Sequence, residues 1–377
     1  MLTGEQRRLG YRPALDGVRA VAIASVLGFH AVEHPSGGFL GVHVFFVLSG
    51  FLITTLLLEE WNTKGSISLR HFYRRRALRL LPALAFALVG FAVVATFLIA
   101  TGRADKFLTA GSAIKGALFG AFYISNVAQA AGTTLPGSIG HLWSLATEEQ
   151  FYVLWPIALV VALRAGASRR ALGMGLVGAI AVLAGHRLEM ALRGVPQQRM
   201  YFGPDGSFDL LLVGCLAGVV LTSADAATRE RLARILRIVW IPAAGVCAAL
   251  LLRSHIWDRS VYEGLLLVFG IAVACLLLTV VLDERSLPAR VLGFGPLVYL
   301  GKISYGVYLW HQIVLAGGLI PFSIGFYVRG GIGIALSLAI ASVSYRFVER
   351  PFLQRKRRDR IEVEQAPVPA AAAAATL

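Results

Sequence analysis

Residues 14–34 read "ALDGVRAVAIASVLGFHAVEH". The stretch is long and apolar enough for a bilayer helix, which needs about 20 residues, yet it carries Asp16, Arg19 and His30. Ionisable groups are costly in lipid and face a bundle interior or a wet cavity, so function is their default reading. Arg19 and His30 are eleven residues apart. At about 100° per residue that is close to three whole turns, so both project from one face, about 16 Å apart along the axis. Plainer readings stay open: Arg19 snorkels to an interface or pairs with Asp16 at i,i+3, and His30 is a satisfied packing histidine.

Working outward, the rest of the chain repeats this composition. Of 377 residues, 57% are hydrophobic and 15% charged, which excludes an ordinary soluble domain and fits an all-α polytopic membrane protein. The formal net charge of +15 would suggest nucleic acid in a soluble chain. Here the basic residues cluster between apolar runs, where cytoplasmic loops retain Lys and Arg, and no nucleic-acid partner is expected. Cys215, Cys247 and Cys275 lie inside apolar segments without metal-ligand spacing and read as small buried hydrophobes; no metal is expected. The polar, basic start, with no small-residue cleavage site after the first apolar run, reads as a retained signal-anchor.

Apolar runs of spanning length fall near 14–33, 39–58, 80–101, 107–127, 143–163, 171–186, 207–222, 236–252, 262–282, 297–320 and 328–348. Loop charge arbitrates between ten and eleven crossings. Arg7, Arg8 and Arg12, the arginines of 60–79, "RAGASRR" (164–170), "ATRERLARILR" (227–237) and "QRKRRDR" (354–360) all fall on the cytoplasmic side only if 107–127 does not cross. That run is also interrupted by Lys115. The expectation is therefore about ten spans, both termini cytoplasmic, with 107–127 re-entrant or packed on the outer side. The organisation expected is a cytoplasmic 1–13, one membrane domain over 14–353, and a basic then Ala/Pro-rich disordered tail over 354–377.

Several segments keep His30 company. "GGFLGVHVFFVLSGFLIT" (37–54) offers Gly41, Ser49 and Gly50 for close helix approach. "HFYRRRALRLLPA" (71–83) carries arginines that either anchor the inner interface or grip phosphate oxygens. "GHLWSLATEEQFYVLWP" (140–156) places Glu148 and Glu149 near the outer end of a span, where two adjacent glutamates cannot both face lipid. "GKISYGVYLWHQ" (301–312) holds His311 in an apolar stretch, and "SYRFVERPF" (344–352) ends the last helix at Pro351. Glu349, between Arg346 and Arg350, reads as a structural ion pair.

In this order, "LDGVRA…FH", "GGFLGVHVFFVLSGFLIT", "FYRRRALRLLPA", "HLWSLATEEQFYVLWP", "ISYGVYLWH" and "YRFVERPF" resemble the acyltransferase-3 family of membrane proteins, over residues 15 to 352. The resemblance implies a multi-helix membrane enzyme moving an acyl group, commonly acetyl, from acyl-coenzyme A to a hydroxyl. Implied acceptors are cell-surface glycans or glycosylated metabolites such as macrolides. By position, the family's first-helix pair falls on Arg19 and His30, its basic motif on Arg74 and Arg76, and its glutamate on Glu149. The family's usual "GVDVFF" reads "GVHVFF" here, with His43 in place of the acid.

Acyl transfer to an alcohol needs a base, and histidine's tunable imidazole suits that role. The expectation is that His30 deprotonates the acceptor and that Glu149 orients its ring. Arg74, Arg75 and Arg76 are expected to hold the phosphates of acyl-coenzyme A entering from the cytosol, while Arg19 lines the passage. His141, His311 and His43 are expected at the substrate. An acyl-histidine intermediate is the competing mechanism. The rival class, a proton-coupled lipid or sugar transporter, would use the same buried His, Glu and Arg.

Overall fold

The computed structural model describes residues 9–354 except residue 322, and no strand occurs among the described residues. Helices α1 (Pro13–Val32), α2 (Gly41–Lys64) and α3 (Leu69–Ala100) come first. Three short pieces follow, α4 (Ala110–Ala121), α5 (Ser125–Ala130) and α6 (Gly137–Gly140). Then come α7 (Trp143–Arg164), α8 (Arg169–Leu192), the short α9 (Gln197–Phe202), α10 (Phe208–Ser223) and α11 (Ala226–Arg253). The chain closes with α12 (Leu266–Leu282), the short α13 (Leu287–Leu292), α14 (Gly295–Leu315) and α15 (Phe326–Ser344). Single π-turns lead into α12 at Val261–Leu265 and close α15 at Tyr345–Glu349. Eight helical stretches among the described residues are long and apolar enough to cross a membrane. Beyond these, α10 is apolar but has 16 residues, and α14 has 21. The chain is an all-α polytopic membrane protein.

The run 107–127 forms α4 and α5, of 12 and 6 residues, too short to cross at about 1.5 Å per residue. Packing directions agree. Tyr73 donates to the Val153 carbonyl (2.9 Å) and Arg76 reaches Glu149 (3.1 Å), so α3 and α7 run antiparallel. The segment between them thus brings the chain back into the bundle from the end at which α3 left it. An amide lattice holds it there: Asn126 and Gln150 exchange side-chain hydrogen bonds at 3.0 and 2.9 Å, and Gln150 also donates to the Tyr123 carbonyl at 2.9 Å.

The sequence places 227–237 in a basic loop, but it is the opening of α11. The Asp225 carboxylate accepts from the Thr228 N–H at 2.7 Å, satisfying an otherwise unpaired helix-start donor, and the helix runs from Ala226. In the same way Ser68 caps α3, so Arg70 through Arg79 are helical. The predicted tail, beyond residue 354, lies outside the described residues, as do Arg7 and Arg8.

Close approach depends on glycine at a few crossings. A Cβ on Gly301 of α14 would collide with the Asp16 carbonyl of α1, and one on Gly50 of α2 with the Leu211 carbonyl of α10. Near the far end of α1, a Cβ on Gly330 of α15 would meet the Ala31 carbonyl. Asp16 therefore lies beside Gly301 and His30 beside His311, so α1 and α14 run side by side in the same direction.

Candidate active site

α1 is unbroken from Pro13 to Val32, so the Arg19-to-His30 spacing acts as a helical spacing should. At the His30 end, α1, α14 and the turn between α6 and α7 bring histidines together. The ring centroids of His30 and His311 are 5.0 Å apart, and those of His311 and His141 also 5.0 Å. His30 is exposed, His311 fully buried and His141 buried, so His30 stands at the mouth of the cluster with the others behind it.

Hydrogen bonds fix two of the tautomers. His30 Nδ1 lies 2.9 Å from the Val26 carbonyl, and His311 Nδ1 lies 2.7 Å from the Tyr308 carbonyl. A carbonyl only accepts, so both Nδ1 atoms carry the proton and both Nε2 atoms present a bare lone pair. Among the described residues His311 Nε2 is buried without a partner, as are both ring nitrogens of His141. Buried polar atoms are nearly always paired, so vacant ones mark a place built for something else. Tyr308 cements the cluster: its hydroxyl donates to the His141 carbonyl at 2.7 Å and accepts from Ser144 Oγ at 2.5 Å. The phenol proton is thereby engaged and is not available to a substrate.

A second polar layer continues down α7. Ser144, Glu148 and Tyr152 recur every four residues on one face. Ser49 of α2 donates to Glu148 at 3.0 Å, so its small side chain is a hydrogen-bond partner as well as a packing residue. Glu149 turns the other way and accepts from Nε and Nη2 of Arg76, both at 3.1 Å, while the guanidinium lies over the Tyr152 ring. Each of the two adjacent glutamates thus has its own partner, as their 100° separation requires.

Toward the start of α1 the surroundings are cationic. Arg19 pairs with Asp16 at 2.5 Å, and Asp16 also accepts from Tyr11 at 3.0 Å, so the i,i+3 ion pair is present. Arg79 is exposed and has Arg19, Arg76 and Asp16 as electrostatic neighbours. Glu349 does not pair with Arg346 or Arg350. Buried by the closing π-turn, it packs on Gly306, receives a bond from Ser344 (3.5 Å) and faces Arg79.

Several sequence expectations are redrawn by this geometry. Glu149 is bonded to Arg76, and the ring of His30 meets Phe29 and His311 instead. Arg74, Arg75 and Arg76 do not form one grip: successive helical residues diverge by about 100°. Arg74 is exposed, Arg75 approaches Glu60 at 3.9 Å, and only Arg76 joins the core. Arg79, three residues on and on the side of Arg76, is the group the sequence reading passed over; the i,i+3 spacing was the signal for it. His43 is also apart from the other histidines. It is buried in an aromatic cage of Phe39, Phe46 and Tyr201, at ring distances of 6.4, 5.6 and 6.2 Å, beside the buried Arg187–Asp209 pair. Tyr308 and Ser144 are further additions, invisible as single polar residues in apolar helices.

Membrane-length helices that gather histidines at one end of α1 and Arg19, Arg76 and Arg79 at the other fit a polytopic membrane enzyme. The family model described as an acyltransferase domain matches residues 12–346. The chain belongs to the acyltransferase-3 family. It is 31% identical over 366 residues to the peptidoglycan O-acetyltransferase OatA of Listeria monocytogenes, covering 90% of this chain and 56% of that protein. It is 30% identical over 357 residues to the O-acetyltransferase OatA of Staphylococcus aureus, covering 92% and 58%. A putative O-acetyltransferase of Staphylococcus aureus is 32% identical over 366 residues, with 92% and 58% covered. The chain thus spans little more than half the length of these relatives. No solved structure matches.

Proposed function

We propose that the protein transfers an acetyl group from acetyl-coenzyme A to a hydroxyl of a cell-envelope glycan, through ten helical crossings of the cytoplasmic membrane with both ends inside. The observation that carries this reading is the bare Nε2 of exposed His30, held in that tautomer by the Val26 carbonyl. Family membership supports the reaction class, and the Listeria relative, a peptidoglycan O-acetyltransferase, supports a glycan acceptor.

His30 Nε2 takes the hydroxyl proton as the oxygen attacks the thioester carbonyl carbon, forming the new C–O bond. The tetrahedral intermediate then expels the thiolate as the C–S bond breaks. The imidazolium returns its proton to the sulfur, releasing free coenzyme A and neutral His30. The donor's phosphates lie against Arg79 and Arg19, with Arg76 held in place behind them by Glu149. The pantetheine arm covers the distance of about 16 Å from the level of Arg19 to that of His30.

The test is acceptor-dependent release of free coenzyme A by the purified protein in nanodiscs. Thiol release that requires an envelope glycan fraction supports transfer. Glycan movement across the bilayer without thiol release would replace it with the transporter reading.

A further inference from the structure

Two imidazoles side by side, each with Nδ1 bonded to a carbonyl one turn back, present two lone pairs and no donor. His30 and His311 are such a pair, 5.0 Å apart, and among the described residues no side chain supplies a hydrogen to His311 Nε2. The neighbours cannot: the Tyr308 phenol proton is committed to the His141 carbonyl, and the Ser144 proton to Tyr308. The His311 ring has no freedom to turn its other nitrogen outward, because Nδ1 is tied at 2.7 Å and the side chain is fully buried. What this arrangement lacks is a hydrogen-bond donor to His311 Nε2, beside His30.

We propose that the acceptor is a polyol bound through two hydroxyls, one presented to His30 for acylation and a neighbouring one donated to His311 Nε2. His311 is then a specificity determinant, selecting alcohols with a second hydroxyl close to the reacting one. A lone alcohol leaves the buried His311 lone pair unsatisfied, and a polar site built for a partner discriminates strongly against an analogue that lacks it. His141 lies further back, behind His311, and its ring nitrogens do not reach His311 Nε2.

This inference rests on the acyl-transfer reading, and its test separates the two. The probe is the parent alcohol, recovered by mild alkali from whichever fraction takes label from radiolabelled acetyl-coenzyme A. It is compared with analogues in which one non-reacting hydroxyl at a time is removed as the deoxy compound. Wild-type protein is expected to lose about tenfold or more in kcat/KM with one particular deoxy analogue. His311→Leu, and separately His311→Ala should the larger side chain disturb packing, is expected to treat that analogue and its parent alike within about twofold, a removed partner having nothing left to satisfy. Equal rates on every analogue in wild type, or a preference that survives both substitutions, overturns the role of His311 while leaving acyl transfer standing. Label in no fraction overturns acyl transfer and this inference together.

Discussion

Arg76 of α3 holds Glu149 of α7 through two nitrogens on one carboxylate oxygen, 3.1 Å each, and in doing so ties the helix that carries Arg79 to the helix that carries Ser144 and Glu148. Removing one partner strands a desolvated charge, which costs more than the pair contributes. Arg76→Ala is therefore expected to destabilise the protein by about 3 kcal/mol, and Arg76→Ala with Glu149→Gln to recover part of that loss. Thermal unfolding in detergent measures both. Equal melting of the single and double variants would show that no such coupling exists.

The fully buried Arg187–Asp209 pair, 2.6 Å apart beside the His43 cage, gives a sharper version. Its side chains are 1% and 0% exposed, so water cannot replace a lost partner. Arg187→Ala is expected to cost about 3–5 kcal/mol, and replacing both residues with leucine much less. A single variant that melts like wild type would contradict the burial.

Arg79 and Arg74 separate the proposed donor site from the three-arginine grip expected of the sequence. Arg79→Ala is expected to raise KM for acetyl-coenzyme A about tenfold, the value of a lost charge-assisted bond, with kcat little changed. Arg74, on another side of α3, is expected to shift KM by less than about twofold when made alanine. The reverse ranking would restore the three-arginine grip.

Between α9 and α10, burial raises the Asp205 carboxyl, but the two-point hold of Arg199 at 2.8 and 2.9 Å, with His186 at 3.3 Å, outweighs it and keeps the group below its ordinary range. A lowered folded value stabilises fully above the ordinary aspartate range and loses that contribution as pH falls through it. Melting temperature is thus expected to decline on acidification below about pH 4, less steeply in Arg199→Gln. Parallel pH curves for the two proteins would remove this linkage.

Much of this architecture was written locally. Hydrophobic length gave the helices, and the clustering of arginines singled out 107–127, which folds as two short helices. The capping role of Asp225 was equally local, yet the basic residues after it masked the start of α11. Nothing local joins His30, His141 and His311, which come from segments more than a hundred residues apart. Their meeting depends on glycines such as Gly301 admitting a neighbouring carbonyl, and on which face of each helix turns inward. For the same reason Glu149 could not be assigned to Arg76 rather than His30 from spacing alone, and His43, in the first turn of α2, enters a separate aromatic cage.

The role of His30 Nε2 as the base is read most directly by acetyl transfer from radiolabelled acetyl-coenzyme A in membranes carrying wild type or His30→Ala at equal, folded abundance. Wild type is expected to label the glycan fraction, and the variant to lose about a hundredfold or more, the usual contribution of a positioned base. Near wild-type transfer by His30→Ala would contradict it.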